Sequence, residues 1–166
     1  MIVFDASTLI LLAKIELLEV FVSSFSGGIS IPEIIRDEVC AKGREETPLL
    51  TRLIEEKKIH VSKVKADKEI RKLMDDFHID AGEAAAIILA LDEKASLVAT
   101  DDRNAIRACK ALKLDFTTAI AILIRAFEKN LIDKAEALIK LQKLESVARY
   151  NRAIIEEAEK LIEGGG

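Results

Sequence analysis

Tryptophan is missing from this chain of 166 residues, tyrosine occurs once, and all aromatic residues together make up 4% of it. A surface that grips single-stranded bases by stacking needs aromatic platforms, and this composition offers few. A basic excess is lacking too: 25 Lys and Arg stand against 29 Asp and Glu, a net charge of −4. Bulk attraction to phosphate rests on a basic footprint, so any contact with nucleic acid must be local. Cysteine and histidine occur twice each. Cys40 and Cys109 have no CxxC spacing and no neighbouring His, which argues against zinc or a disulfide framework and for two buried small hydrophobes. His60 and His78 lie outside every motif. No basic n-region opens the chain and no apolar run reaches membrane-spanning length, so a cytoplasmic location without a membrane partner is expected.

What is present is material for a core: 50% of the residues are hydrophobic and 33% charged. The length suits one domain. Apolar β-prone runs at Ile2–Phe4, Ile29–Ile31, Ile59–Val64, Ala95–Thr100 and Leu114–Phe116 alternate with helical spacing. The helical stretches are Thr8–Ala13, Ile15–Ser23, Pro32 to about Lys42 with a stop at Gly43, Leu49–Lys57, Asp67–Phe77, Ala81–Leu91 and Arg103–Leu112,. Such alternation predicts βα units, a parallel sheet and the α/β class. Ala81–Leu91 is apolar all round, the mark of a buried helix. After residue 117 only helices are expected, over Ala119–Lys129, Lys134–Leu144 and Val147–Ile162. With no Pro or Gly linker before them, they should pack on the α/β unit. The expected organisation is one domain over 1–163, with an α/β unit at 1–116, packed helices at 117–163 and a flexible tail at 164–166.

Acids recur where open α/β sheets place their ligand crevice, at the carboxyl ends of strands. Asp5 ends the first strand, Glu38 lies in the helix after the second, Glu83 opens the Ala-rich helix, and Asp101 and Asp102 end the strand before Arg103. Each has a purely structural explanation. Asp5 could cap the next helix, although Ser7 serves equally well. Asp80-Ala81-Gly82-Glu83 fits a capping box, and Asp101 or Asp102 could cap the helix from Arg103. Glu38 falls beside Ile34, Ile35 and Val39 on a helical wheel, and a carboxylate on a core-facing stripe is costly unless paired or metal-bound. All these sites share one edge of a parallel sheet, which makes coincidence the weaker account.

The succession of Asp5 with Ser7, Ile31-Pro32-Glu33 leading to Glu38, Gly82-Glu83 and Thr100-Asp101-Asp102 resembles the PIN-domain family of metal-dependent ribonucleases. It is closest to a small prokaryotic PIN-like subfamily described as nucleic-acid-binding, and the resemblance covers nearly the whole chain. It implies a three-layer α/β/α (Rossmann-like) sheet with a helical C-terminal extension. By position it carries the family's catalytic acids onto Asp5, Glu38, Glu83 and Asp102, with Asp101 as a neighbour that could substitute. It further implies an RNA substrate, toxin-like or RNA-processing activity, a small antitoxin protein as partner, and a homodimer.

The chemistry stands independently of the family. Carboxylates without His or Cys favour hard cations, so Mg2+ or Mn2+ is expected on Asp5, Glu38, Glu83 and Asp101 or Asp102. Two such ions could activate water and stabilise a departing 3′-oxygen. Ser7 and Thr100 adjoin these acids and are expected to support them. Arg103, Arg107 and Lys110 fall on one helical face opposite Ala105, Cys109 and Leu112, and could guide a phosphate backbone. A solvated charge stripe is the competing reading. A phosphohydrolase or nucleotide-binding protein fits less well, since DxD, GxGxxG and GxxxxGK motifs are all missing. The other rival is a non-catalytic module that binds metal or nucleic acid and works through its helical tail.

Overall fold

A central parallel strand must be apolar on both faces. Ile2–Phe4 meets that requirement with all three side chains buried. The computed structural model describes residues 1–41 and 43–165. Along them run β1 (Ile2–Phe4), α1 (Ala6–Lys14), α2 (Leu18–Ser24), β2 (Ile29–Pro32), α3 (Glu33–Val39), α4 (Thr47–Glu55) and β3 (His60–Ser62). Then come α5 (Asp67–Phe77), α6 (Ala81–Asp92), β4 (Leu97–Ala99), α7 (Arg103–Ala111), β5 (Phe116–Thr117), α8 (Ala119–Glu128), α9 (Lys134–Val147) and α10 (Arg152–Gly164).

The strands form one parallel sheet in the order β3-β2-β1-β4-β5. The chain leaves β1 towards β2 on one side and returns at β4 on the other, so the sheet reverses direction beside β1, where ligand crevices open. Right-handed crossovers put the helices between β1 and β3 on one face and those between β3 and β5 on the opposite face. Helix α6 lies against β1, β2 and β4, flanked by α5 and α7. Its small residues permit this close seat: every position from Gly82 to Ala90 except Glu83 is buried. Across the sheet, α8 and α9 pack on α1, and α10 packs on α8 and α9. The result is the α/β/α architecture expected, and no helix among the described residues is long and apolar enough to cross a membrane.

Several boundaries differ from the sequence expectations. Pro32 closes β2 and caps α3 with extended backbone instead of opening the helix. Helix α3 ends at Val39, and the expected end near Lys42 falls on a residue outside those described. The last strand is shifted to Phe116–Thr117, a two-residue edge element. Val147 ends α9 instead of starting the final helix, because Asn151 caps α10 through Ile154 N at 2.9 Å. Helix α10 carries through Gly164, inside the expected tail, while Gly166 lies outside the described residues. Cys109 is buried and Cys40 only partly so.

Candidate metal centre

Register brings the first two parts of the site together. Phe4 pairs with Ala99 across β1 and β4, and Asp5 N donates to Ala99 O at 3.0 Å, so Asp5 and Thr100 leave the sheet side by side. Asp5 cannot continue a strand buried on both faces, and it turns into α1 as its N-cap, Oδ1 accepting from Thr8 N at 2.9 Å,. Thr100 Oγ1 donates to Asp5 Oδ2 at 2.6 Å, and Ser7 Oγ reaches Oδ1 at 3.4 Å. Asp5 has 2% of its surface exposed, and among the described residues no cation shifts its titration. Burial pushes its carboxyl up to about 6, against the lowering effect of the Thr100 and Thr8 hydrogen bonds,.

Glu83 arrives from the opposite face at the start of α6. The capping box is real: Glu83 N donates to Asp80 Oδ1 at 2.7 Å, and Asp80 N donates to Glu83 Oε2 at 2.9 Å,. This uses one carboxylate oxygen, and among the described residues Oε1 has no hydrogen-bond partner. Burial pushes Glu83 up to about 7, with the charges of Asp80, Asp102 and Asp5 adding to the rise. Asp5 and Asp102 therefore both lie within electrostatic reach of Glu83.

The Asp101–Asp102 doublet divides into two different environments. Asp102 caps α7 through Ala105 N at 2.8 Å, and its own N–H donates to Thr100 Oγ1 at 3.2 Å. Its Oδ2 has no hydrogen-bond partner among the described residues. Asp101 is occupied on both oxygens: Thr8 Oγ1 donates to Oδ2 at 2.7 Å, Tyr150 Oη donates to Oδ1, and Ala119 N at the head of α8 approaches both, at 3.2 and 3.1 Å.

Glu38 corrects the sequence reading. It is exposed, and so is Ile34 at 42%, whereas Ile35 and Val39 are buried. Helix α3 spans only seven residues, and the Ile35–Val39 pair one turn apart fills its core contact, which turns Glu38 outward. The residue still borders the centre. Its Oε2 lies 3.6 Å from where a Cβ on Gly82 would stand, and it shares with Ser7, Asp101 and Arg103 an open cavity of about 630 Å³.

Three arginines line that cavity, Arg44, Arg103 and Arg149, facing an apolar wall that includes Ile10, Leu11, Ile106, Val147 and Ile154. Of the expected basic stripe, Arg103 alone is among them. Arg107 is exposed and hydrogen-bonds Asn104 Oδ1 at 3.3 Å, while Lys110 sits over the Phe116 ring, 5.7 Å from its centroid. The helical rise of about 1.5 Å per residue carries Lys110 down α7 to the amino-terminal edge of the sheet. Sequence reasoning missed Arg44, Arg149, Thr8 and Tyr150. Arg44, Arg149 and Tyr150 stand in loops, the last two in a stretch that the sequence suggests is helical and that the α9–α10 connection occupies instead.

All the candidate ligands are oxygens, the donor chemistry of a hard divalent cation. As placed, no group of three His, Cys, Asp or Glu side chains among the described residues stands ready to hold an ion. The donor set nevertheless fits one: Asp5 and Glu83 already resist carrying their charges together, and Glu83 and Asp102 each keep an oxygen free beyond the cap they form. A family model described as a PIN domain matches residues 1–163. Neither the curated proteins nor the solved structures give a significant match.

Proposed function

The chain belongs to the PIN-domain family, and from that membership and the centre above we infer that it is a metal-dependent ribonuclease cutting phosphodiester bonds in RNA. Proteins of this family are in general nucleases, and they typically use a divalent metal. The finer reading assigns Mg2+ or Mn2+ to Asp5, Glu83 and Asp102, with Glu38 at the rim and Asp101 as a structural acceptor. The observation that supports it is the influence of the Asp5 and Asp102 charges on Glu83 beside the reversal point of the sheet, with the proton affinity of Asp5 and Glu83 raised.

Each residue has a task within this reading. A bound cation would supply Lewis-acid stabilisation of phosphate charge and an activated water. Asp5 is held by Thr100 and the head of α1, Glu83 by Asp80, and Asp102 by the head of α7, so each carboxylate is fixed in place at the edge of the crevice. Between neutral groups and ionised ligands stands proton release, which cation binding would drive. Arg103, Arg44 and Arg149 would draw the RNA backbone to the cavity despite the net charge of −4,. Arg107 and Lys110 extend that grip down α7 with decreasing effect.

The reading extends to partners. Under this reading the protein is the toxin of a toxin-antitoxin pair, a homodimer acting in the cytoplasm, and exposed Val147 and Ile154 on the cavity's apolar wall suit contact with a small antitoxin protein. The deciding experiment is calorimetric titration of the purified protein with Mn2+, paired with cleavage of labelled single-stranded RNA with and without chelator. Mn2+ uptake with chelator-sensitive cleavage is expected. Absence of both would leave the non-catalytic module as the better account.

A further inference from the structure

The chain's single tyrosine, Tyr150, belongs to the segment between α9 and α10 and figures in no motif. Its hydroxyl donates to Asp101 Oδ1 and accepts from Ile120 N at 3.2 Å. Through Asp101, four parts of the chain converge: the turn after β4, Thr8 in the first turn of α1, Ala119 at the head of α8, and Tyr150 itself. The amino-terminal amides of α8 favour the Asp101 carboxylate in this place. Burial, followed by the charge of Asp101, raises the phenol's proton affinity, which keeps the hydroxyl a donor.

Asp101 accepts hydrogen bonds on both oxygens, and its two neighbours connect it to the other acids. Thr100 Oγ1 reaches Asp5 Oδ2 at 2.6 Å and accepts from Asp102 N at 3.2 Å. Asp102 bears on Glu83 by its charge. Asp101 is the middle residue of the Thr100–Asp102 turn, so the bonds that hold its side chain also restrain that turn. Thr8 adds a direct path, since its backbone N–H binds Asp5 and its hydroxyl binds Asp101.

We propose that Tyr150 is a positioning residue for the metal centre: by holding Asp101 it fixes the Thr100–Asp102 turn, and with it the alignment of Asp102 to Asp5 and Glu83. The C-terminal helices thereby complete the site through a hydrogen bond that spans 49 residues in sequence. This rests on the metal-centre reading given above. A tyrosine that only staples α9 and α10 to the domain would affect stability alone.

The test measures Mn2+ affinity by calorimetry, kcat and KM for RNA, and metal-free melting for wild type, Tyr150→Phe, Asp101→Asn, Asp101→Ala and the Tyr150→Phe/Asp101→Ala double variant. Ile162→Val, a buried change in α10 away from the cavity, controls for reduced stability. Tyr150→Phe should weaken Mn2+ binding roughly tenfold or more, the usual cost of removing a partner of a ligand-bearing element, and lower kcat with KM unchanged. Asp101→Asn, which keeps an oxygen for the phenol, should retain Mn2+ affinity where Asp101→Ala loses it. In the Asp101→Ala background, Tyr150→Phe should have no further effect. If Tyr150→Phe does not fold, the contrast between the Asn and Ala variants decides. Wild-type Mn2+ affinity in both Tyr150→Phe and Asp101→Ala, or an equal loss in Ile162→Val, would overturn the positioning role while leaving the metal centre intact. A wild type that takes up no Mn2+ would instead overturn the metal-centre reading, and the role with it.

Discussion

Thr100 and Asp5, 95 residues apart, meet at the carboxyl ends of adjacent parallel strands, the threonine hydroxyl donating to a carboxylate oxygen at 2.6 Å. That hydrogen bond supports a carboxylate with 2% exposure where, among the described residues, no cationic partner neutralises it. Burial still outweighs that bond and raises the pKa to about 6, and this balance explains what the position is suited to. A buried carboxyl poised near neutrality exchanges its proton for a cation readily, whereas a salt-bridged one would not.

Asp5→Asn should abolish Mn2+ uptake and RNA cleavage while leaving the metal-free fold at least as stable as wild type above neutral pH. The amide keeps one oxygen for Thr8 N, and Thr100 Oγ1 can accept from the new amide nitrogen. What disappears is a charge that burial disfavours. Calorimetry, cleavage assays and thermal melts on both proteins check this. Cleavage at the wild-type rate would remove Asp5 from the metal centre.

The same pKa values fix a pH trend of definite sign. Asp5 rises from 3.8 to about 6 on folding and Glu83 from 4.5 to about 7, chiefly through burial. Across that window the native state keeps protons that the unfolded chain has released, so stability falls as pH rises. The contribution is complete below the unfolded values and is lost as pH climbs through about 7. For Asp5 it is on the order of 2–3 kcal/mol. Melts of metal-free protein from mildly acidic to neutral pH should show the decline, and saturating Mn2+ should reverse it. A melting temperature that climbs steadily over this range would contradict the assignment.

Much of this was legible in the chain because local chemistry determines it. An apolar triplet ending in Asp5 reads as a central strand with a cap, and it is both. Asp80 through Glu83 reads as a capping box on a buried helix, and the hydrogen bonds are there. The orientation of Glu38 was not legible, because in a helix of seven residues two packed side chains decide the face. Helix ends were blurred where Lys57, Lys94 and Lys113 adopt left-handed conformations usually marked by glycine or asparagine. The pairing of Tyr150 with Asp101 depends on how the last helices dock, and no spacing along the chain encodes it.

The double duty of the caps yields a selective prediction. Glu83→Gln and Asp102→Asn each retain a capping oxygen for α6 and α7, and Asn caps as well as Asp. Both variants should melt close to wild type yet lose Mn2+ affinity and cleavage. Asp102→Ala should lose stability as well, by about 1 kcal/mol. If the Asn variant cleaves RNA normally and only the Ala variant is impaired, Asp102 is a helix cap and nothing more.

The arginines offer the last prediction, because the cavity and the α7 stripe rank the same cations differently. If RNA enters over the cavity, Arg103→Ala and Arg149→Ala should weaken binding across sequences. Each should also reduce the slope of affinity against salt by about one for each phosphate the arginine had neutralised. Arg107, bound to Asn104 one turn down α7, should matter less, and Lys110, held over Phe116, least. Were the stripe the true path, Arg107 and Lys110 would match Arg103, and Arg149 would be silent. Binding of a labelled RNA at several salt concentrations distinguishes these orders. Metal affinity, measured alongside, should stay at the wild-type value in all four, since none of these cations touches a proposed ligand directly.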